Sequence, residues 1–430
     1  MHALNIFFNE KKVGKLLYDS FGDDFRLEYD MSWVQNGFAL SAKLGLNEQI
    51  KSIDIKNFID NLLPEGKGLD ELVNCIQVSK NNKFALLKKI GNETSGAFSF
   101  VSDEAFNLST SFREVSFDEL TQRIKQRKQI PITIWDGRPR LSIAGVQEKL
   151  PITKIDGKYG FGEGELASTH ILKFDKTDEK LVLNEYFSLL LAKSAGLDVT
   201  NFELKKFDDE FVLEIERFDR KIISNEKVEK LHLVDGCQLL GVPASFKYER
   251  NFGTTRDVKD IKEGVSFKKL DEITYLTKIP LISKKVLLEW CAINLIIGNS
   301  DAHGKNISFF ISRDGVEIAP FYDIVNIVVY DDIYETSLAM GIDDEFELGK
   351  IKAYDIAAHC YNLGITPKLF SKTFENIANK IKTTISDKIF EQMKSYDEEF
   401  AKKYCEDILN RIERLSAEAK NATKVKVSDV

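Results

Sequence analysis

Apolar and polar positions fall in blocks that predict a chain of mixed helices and strands. The most telling block starts at Ser283, where Val286, Leu287, Trp290, Ile293, Leu295 and Ile297 predict a mostly buried helix over 283–297. Ser283 is suited to cap its start and Gly298 to stop it. Residues 299–306 then form a polar loop on a rigid support. A strand follows over 307–311, a turn at Arg313-Asp314-Gly315, and a return strand over 316–319 that Pro320 ends. A hairpin sets its two ends side by side, so the pattern predicts that Asn306 lies close to Asp323.

Upstream, 168–174 reads as a strand carrying Lys173, and 183–195 as a helix with Glu185 near its start and Gly196 at its end. Residues 211–215 read as a strand that leaves into the charged segment Glu216-Arg217-Phe218-Asp219-Arg220; a core strand with a solvated end fits the same pattern. Gly160, Gly162 and Gly164 alternate as in a mobile hairpin tip. The tail 417–430 is polar and is expected to fray. No internal repeat is visible.

The polar loop and hairpin hold the candidate chemistry. Asp301, an Asn five positions later and a second Asp after a hairpin form the set that phosphoryl transfer to a hydroxyl requires. Asp301 would act as catalytic base, and Asn306 and Asp323 as the oxygen ligands of the magnesium on ATP. His303 could be a metal ligand, but the five histidines are scattered along the chain, which favours a loop hydrogen-bonding residue within reach of phosphate. Lys173 could point a cation at the ATP phosphates, with Glu185 as its structural pair. Ser142 to Gln147 offers a hydroxyl, small residues and a Gly able to aim N–H groups at phosphate, although composition alone makes it an ordinary turn. No G-x-G-x-x-G or Walker sequence is present.

Composition narrows the class. A chain of 430 residues has room for two or three domains. Its net charge of -8 argues against a broad nucleic-acid-binding face. Cys75, Cys237, Cys291, Cys360 and Cys405 are far apart with no CxxC pair, so buried thiols in a reducing cytoplasm are expected. No secretory leader is apparent. The longest apolar stretch, 286–297, contains Glu289 and Asn294 and is too short to span a bilayer, which leaves no membrane role.

With these motifs in hand, nearly the whole chain resembles the HipA family, the kinase toxins of bacterial toxin–antitoxin systems. Ser142-Ile143-Ala144-Gly145-Val146-Gln147-Glu148-Lys149 looks like the family's phosphate loop, Ser168 to Lys173 like its lysine strand, and Glu216 to Arg220 like its adenine hinge. Leu240-Gly241-Val242-Pro243 and Lys247-Tyr248-Glu249 are similar to another family stretch, and Asn61-Leu62-Leu63-Pro64-Glu65-Gly66 to the signature of its N-terminal subdomain. The resemblance implies an α+β, bilobal, protein-kinase-like fold. Its parts would be an N-terminal α/β subdomain over 1–108, a small kinase lobe over 109–217 and a mostly helical large lobe over 218–430.

It also implies serine/threonine protein kinase activity dependent on ATP and Mg2+. Ile143, Ala144, Gly145, Val146, Gln147 and Lys173 would contact phosphate. Glu216 and Phe218 would bind adenine through the backbone, Asp219 the ribose, and His303 and Tyr322 would line the site. Ser142 would be the autophosphorylation site that inactivates the enzyme. The implied partners are a small helix-turn-helix antitoxin of the HipB type, which alone touches DNA, and a protein substrate in translation, such as an aminoacyl-tRNA synthetase. Relatives often carry Q-E-D after the hinge, whereas His232-Leu233-Val234-Asp235 keeps only the acid. Two other classes compete: a small-molecule kinase, which would not be expected to share the Ser142 motif or the N-terminal subdomain, and a catalytically silent corepressor scaffold, which would not need Asp301, Asn306, Asp323 and Lys173 intact.

Overall fold

The computed structural model describes residues 1–102, 109–140, 147–175 and 179–429. Ser142, Ile143, Ala144, Gly145 and Val146 therefore lie outside the described residues. The chain is α+β and divides into two compact units. The first comprises Met1–Val182, Thr200–Ala244 and Phe309–Val316, and the second Leu183–Val199, Ser245–Ser308 and Glu317–Val430.

Among the described residues, the first unit holds two larger antiparallel sheets beside smaller ones. In the N-terminal one, Asp24–Tyr29, Lys11–Asp19, His2–Phe8 and Phe98–Val101 lie in that order, with the helices Ser52–Leu62, Gly66–Ile76 and Lys83–Ile90 following in sequence between its third and fourth strands. The larger sheet orders Phe202–Phe207, Glu210–Glu216, His170–Phe174, Lys149–Ile155, Lys158–Glu163 and Ser111–Val115. Alternation along His170–Phe174 puts Leu172 and Phe174 in an apolar core with Trp135, Leu150, Ile152 and Phe161. The same alternation turns Lys173 to the opposite face. Asn61 and Asn57 donate side-chain N–H groups to the carbonyls of Val242 and Gly241, 2.9 and 2.8 Å away. Two of the family-like segments thus meet within this unit.

The second unit is built around the helices Pro280–Ile297, Pro367–Thr384 and Glu398–Ala422, packed on one another. Trp290, Phe370, Phe374 and Tyr404 are fully buried there. Among the described residues, no helix is long and apolar enough to cross a membrane.

Several local expectations need correction. The helix begins at Pro280, not Ser283, because proline's fixed φ and missing N–H suit the first helical position; Ser283 is buried inside it. Gly160 and Gly162 sit within a strand, where a Cβ on Gly160 would meet the Phe112 ring at 2.4 Å and one on Gly162 would meet Leu166 at 2.4 Å. They are small for packing, and the hairpin tip is at Asp156 and Gly157. The tail is helical through Ala422, with Ala419 and Ala422 buried. None of the five cysteines forms a disulfide, and Cys75 is exposed whereas the other four are buried.

Candidate active site

In the second unit, the helix Pro280–Ile297 ends on Gly298, whose φ of 83° is left-handed and whose N–H bonds to the Asn294 carbonyl at 2.9 Å. The terminal carbonyls of Ile296 and Ile297 receive the buried Arg411 guanidinium at 3.2 and 2.9 Å. Arg411 is itself paired with Asp407. The loop therefore leaves a helix end fixed by a cation on its negative pole.

Inside the loop, Asn306 donates its side-chain N–H to the Asp301 main-chain carbonyl at 2.9 Å. That commits the amide nitrogen and leaves the amide oxygen as the atom suited to a cation. His303 is buried; the Lys305 N–H donates to its Nδ1 at 3.2 Å, which makes Nε2 the protonated nitrogen of a neutral ring. Burial, reinforced by the Lys247 and Lys305 charges and opposed by Asp323, pushes its pKa down to about 3. The ring stays neutral at physiological pH.

The hairpin returns as expected: strands Ser308–Ser312 and Gly315–Ile318, then Phe321, whose N–H bonds to the Asp198 carbonyl at 2.8 Å. Tyr322 donates its hydroxyl hydrogen to the Lys305 carbonyl at 2.8 Å and pairs with Ser308 Oγ at 2.6 Å. Its hydroxyl ties hairpin to loop. Asp323 takes a φ of 56°, a left-handed conformation that Asp tolerates better than most side chains. Its carbonyl receives the Asn299 side-chain N–H at 3.2 Å. Asp301, His303, Asn306, Tyr322 and Asp323 thus belong to one hydrogen-bonded loop pair.

Two residues that the sequence reading left out belong here as well. Tyr248 donates its hydroxyl to Asp301 Oδ1 at 2.8 Å, and Lys305 is buried beside Asn306. A lysine four residues after a candidate catalytic Asp was a usable signal; Tyr248 stands in the family-like stretch Lys247-Tyr248-Glu249, but its contact with Asp301 spans 53 residues and no local pattern shows it.

In the first unit, Lys173 is buried on its strand, opposite Lys149 on one side and Leu213 on the other. Gln147, at the edge of the described residues, reaches the Phe174 carbonyl at 3.4 Å. Glu216 is exposed at the end of Glu210–Glu216, with its N–H on the Asn201 carbonyl at 2.9 Å. Phe218 packs edge-on against Phe310. Glu185 is fully buried in the helix Leu181–Ser194, in the second unit.

Asp219 departs from the ribose role expected of it. It is buried, with Oδ1 held by Arg217 at 3.0 Å and Oδ2 by Arg217 at 2.8 Å, Arg220 at 2.6 Å and the Gly96 N–H at 3.2 Å. Burial alone would raise its pKa, but the two guanidinium charges outweigh that and hold it well below the usual carboxylate range. A carboxylate so engaged has both oxygens turned to donors of the protein itself. Asp235, the remnant of the Q-E-D segment, caps the helix Gly236–Leu240 in a capping box with Gln238.

Comparison with known proteins identifies the family. Residues 4–101 match the HipA N-terminal domain and residues 141–422 the HipA-like C-terminal domain. A serine/threonine-protein kinase toxin HipA from Shewanella oneidensis is 43% identical over 96% of this chain and 95% of its own length. A putative kinase, Y4mE, from Sinorhizobium fredii is 29% identical over 88% of this chain and 90% of its own. The solved structure of the Shewanella oneidensis HipA, HipB and operator DNA complex contains a chain that matches with a TM-score of 0.89 at 41% identity, covering 99% of this chain and all of that one. The chain belongs to the HipA family, and its fold and enzyme class are those of a HipA-type serine/threonine-protein kinase.

Proposed function

We propose that this protein transfers the γ-phosphoryl group of ATP to serine or threonine hydroxyls of a protein in the translation apparatus, as the toxin of a bacterial toxin–antitoxin pair. The observation that carries this reading is the loop pair in which the Asn306 side chain is bonded to the Asp301 carbonyl, Tyr322 to the Lys305 carbonyl and Asn299 to the Asp323 carbonyl. Asp301 orients the acceptor hydroxyl and takes its proton as the oxygen bonds to the γ-phosphorus; the bond to the bridging oxygen breaks and ADP leaves. Lys173 contacts the phosphates. The Gln147 end of the phosphate loop and the backbone of Glu216 and Phe218 cradle the nucleotide.

The Asn306 amide oxygen and the Asp323 carboxylate fit magnesium, which takes few protein ligands and fills its shell from phosphate and water. Bound there, the ion would neutralise charge on the phosphate oxygens. Neutral His303 and Tyr322 keep the loop in shape around those two donors.

Ser142 would end the cycle. A phosphate there adds roughly 1.5 to 2 negative charges beside the nucleotide's own phosphates and opposes ATP binding. A small helix-turn-helix antitoxin is the proposed partner and the source of any DNA contact; the Shewanella oneidensis relative was solved with HipB and operator DNA. The site of action is the bacterial cytoplasm, where ATP and the translation machinery are found.

The test is radiolabelled ATP with the pure protein, wild type beside Asp301→Asn. Label should appear on Ser142 in the wild type only, and growth arrest on expression should vanish with Asp301→Asn. Label or arrest that survives the substitution would refute the assignment.

A further inference from the structure

We infer that Tyr248 is a positioning residue for Asp301: it grips one carboxylate oxygen so that the other is turned to the hydroxyl being phosphorylated. This rests on the kinase reading above. A general base works only while its lone pair points at the proton it removes, and an aspartate carboxyl turning about its last torsion spends much of its time pointing elsewhere. The Tyr248 hydroxyl donates to Asp301 Oδ1 at 2.8 Å, the length of a sound O–H···O bond. A second donor fixed on the base removes that rotational freedom.

Tyr248 can do this because it is itself held. Its ring meets His303 edge-on, 5.2 Å between centroids at 85°. The Lys247 carbonyl, one residue before it, accepts the Gly304 N–H at 2.9 Å, inside the Asp301 loop. One residue after it, the Glu249 N–H donates to the Ala339 carbonyl at 2.9 Å, and Glu249 Oε2 accepts the Gly341 N–H at 2.9 Å. The Ala339 N–H in turn donates to the Ser300 carbonyl at 2.7 Å, next to Asp301. Both flanks of Tyr248 are therefore pinned to the backbone that presents Asp301. Tyr248 is 38% exposed as a residue, so water could have satisfied it, yet its hydroxyl is bonded to the candidate base.

The test compares the full chain, wild type and Tyr248→Phe, by the rate of phosphate incorporation into the protein itself from γ-labelled ATP, over a range of ATP concentrations. Removing only the hydroxyl keeps the ring on His303. The rate at saturating ATP should fall roughly tenfold to a hundredfold, the scale of a misaligned catalytic group, with half-saturating ATP and the melting midpoint unchanged. A merely structural tyrosine would move the melting midpoint and spare the rate. An unchanged rate, with the wild type active, overturns the inference and leaves the kinase reading standing. A faster rate overturns it too, because the hydroxyl would then compete with the acceptor. Phosphate found on Tyr248 would make it an acceptor and likewise overturn it. A wild type that takes up no label defeats the kinase reading and this inference together.

Discussion

The side-chain amide of Asn299 donates to the main-chain carbonyl of Asp323 at 3.2 Å and to Asn294 Oδ1 at 2.8 Å. One buried amide thus joins the last turn of the loop-bearing helix to the acidic residue that the hairpin returns. Asp323 holds a left-handed φ of 56°, and this bond helps to keep it there. Asn299→Ala should lower phosphoryl transfer by roughly tenfold to a hundredfold through misplacement of Asp323. The magnesium concentration needed for half-maximal transfer should rise. A magnesium titration of labelled-phosphate transfer checks this; the same half-maximum in variant and wild type would show that Asp323 does not depend on Asn299.

Asp219 and the guanidinium groups of Arg217 and Arg220 form a buried network that also engages the Gly96 N–H. Neutralising the central carboxylate leaves two buried cations undercompensated. Asp219→Asn should therefore cost about 3–5 kcal/mol of stability in urea unfolding. A ribose contact would behave differently, with normal stability and weaker ATP binding. That second outcome would return Asp219 to the nucleotide site.

The contrast between these two residues shows what the chain displays locally. The helix, loop and hairpin around Asp301 were legible because apolar spacing, Gly298, Asp314-Gly315 and Pro320 are all local signals. The helix start was misplaced by three residues because Ser283 looked like a cap while Pro280 does the work of the first turn. The burial of Asp219 was not legible because a strand running into Glu216-Arg217-Phe218-Asp219-Arg220 looks like a solvated end. What buries those charges is Glu93, Thr94 and Gly96, more than 100 residues earlier. Tyr248 escaped for the same reason: its meaning depends on a long-range approach that periodicity does not encode.

Arg411 and Gly298 should prove energetically coupled. A Cβ on Gly298 would stand 2.5 Å from the Arg411 guanidinium, and the φ of 83° already disfavours a side chain. Gly298→Ala should cost roughly 1–3 kcal/mol for the left-handed conformation, plus the clash. Arg411→Ala should cost on the order of 3–5 kcal/mol, since it strips the Ile296 and Ile297 carbonyls and leaves Asp407 without its cation. Adding Gly298→Ala to Arg411→Ala should then cost less than it does alone, because the guanidinium is gone. Urea unfolding of both single variants and the double variant measures the coupling; strict additivity would show that the two do not share a contact.

His359 offers a pH test whose sign is fixed by burial. It lies in the helix Ala353–Asn362, edge-on to Phe267 and 4.0 Å from Cys291 Sγ. Burial pushes its pKa from about 6.5 down to about 4. Between those values the unfolded chain binds a proton that the folded chain refuses, so stability is present above pH 6.5 and is lost as pH falls toward 4. Going from pH 7 to pH 5 should cost about 2 kcal/mol through this one site. Glu249 works in the opposite direction: burial raises its pKa to about 7, so its contribution is present at acid pH and lost as pH rises through neutrality. The whole-protein curve therefore mixes signs, and a difference is the cleaner measurement. Urea unfolding of wild type and His359→Gln at both pH values should show the wild type losing about 2 kcal/mol more on acidification. Parallel losses in the two proteins would mean that His359 titrates in the folded chain much as it does in the unfolded one.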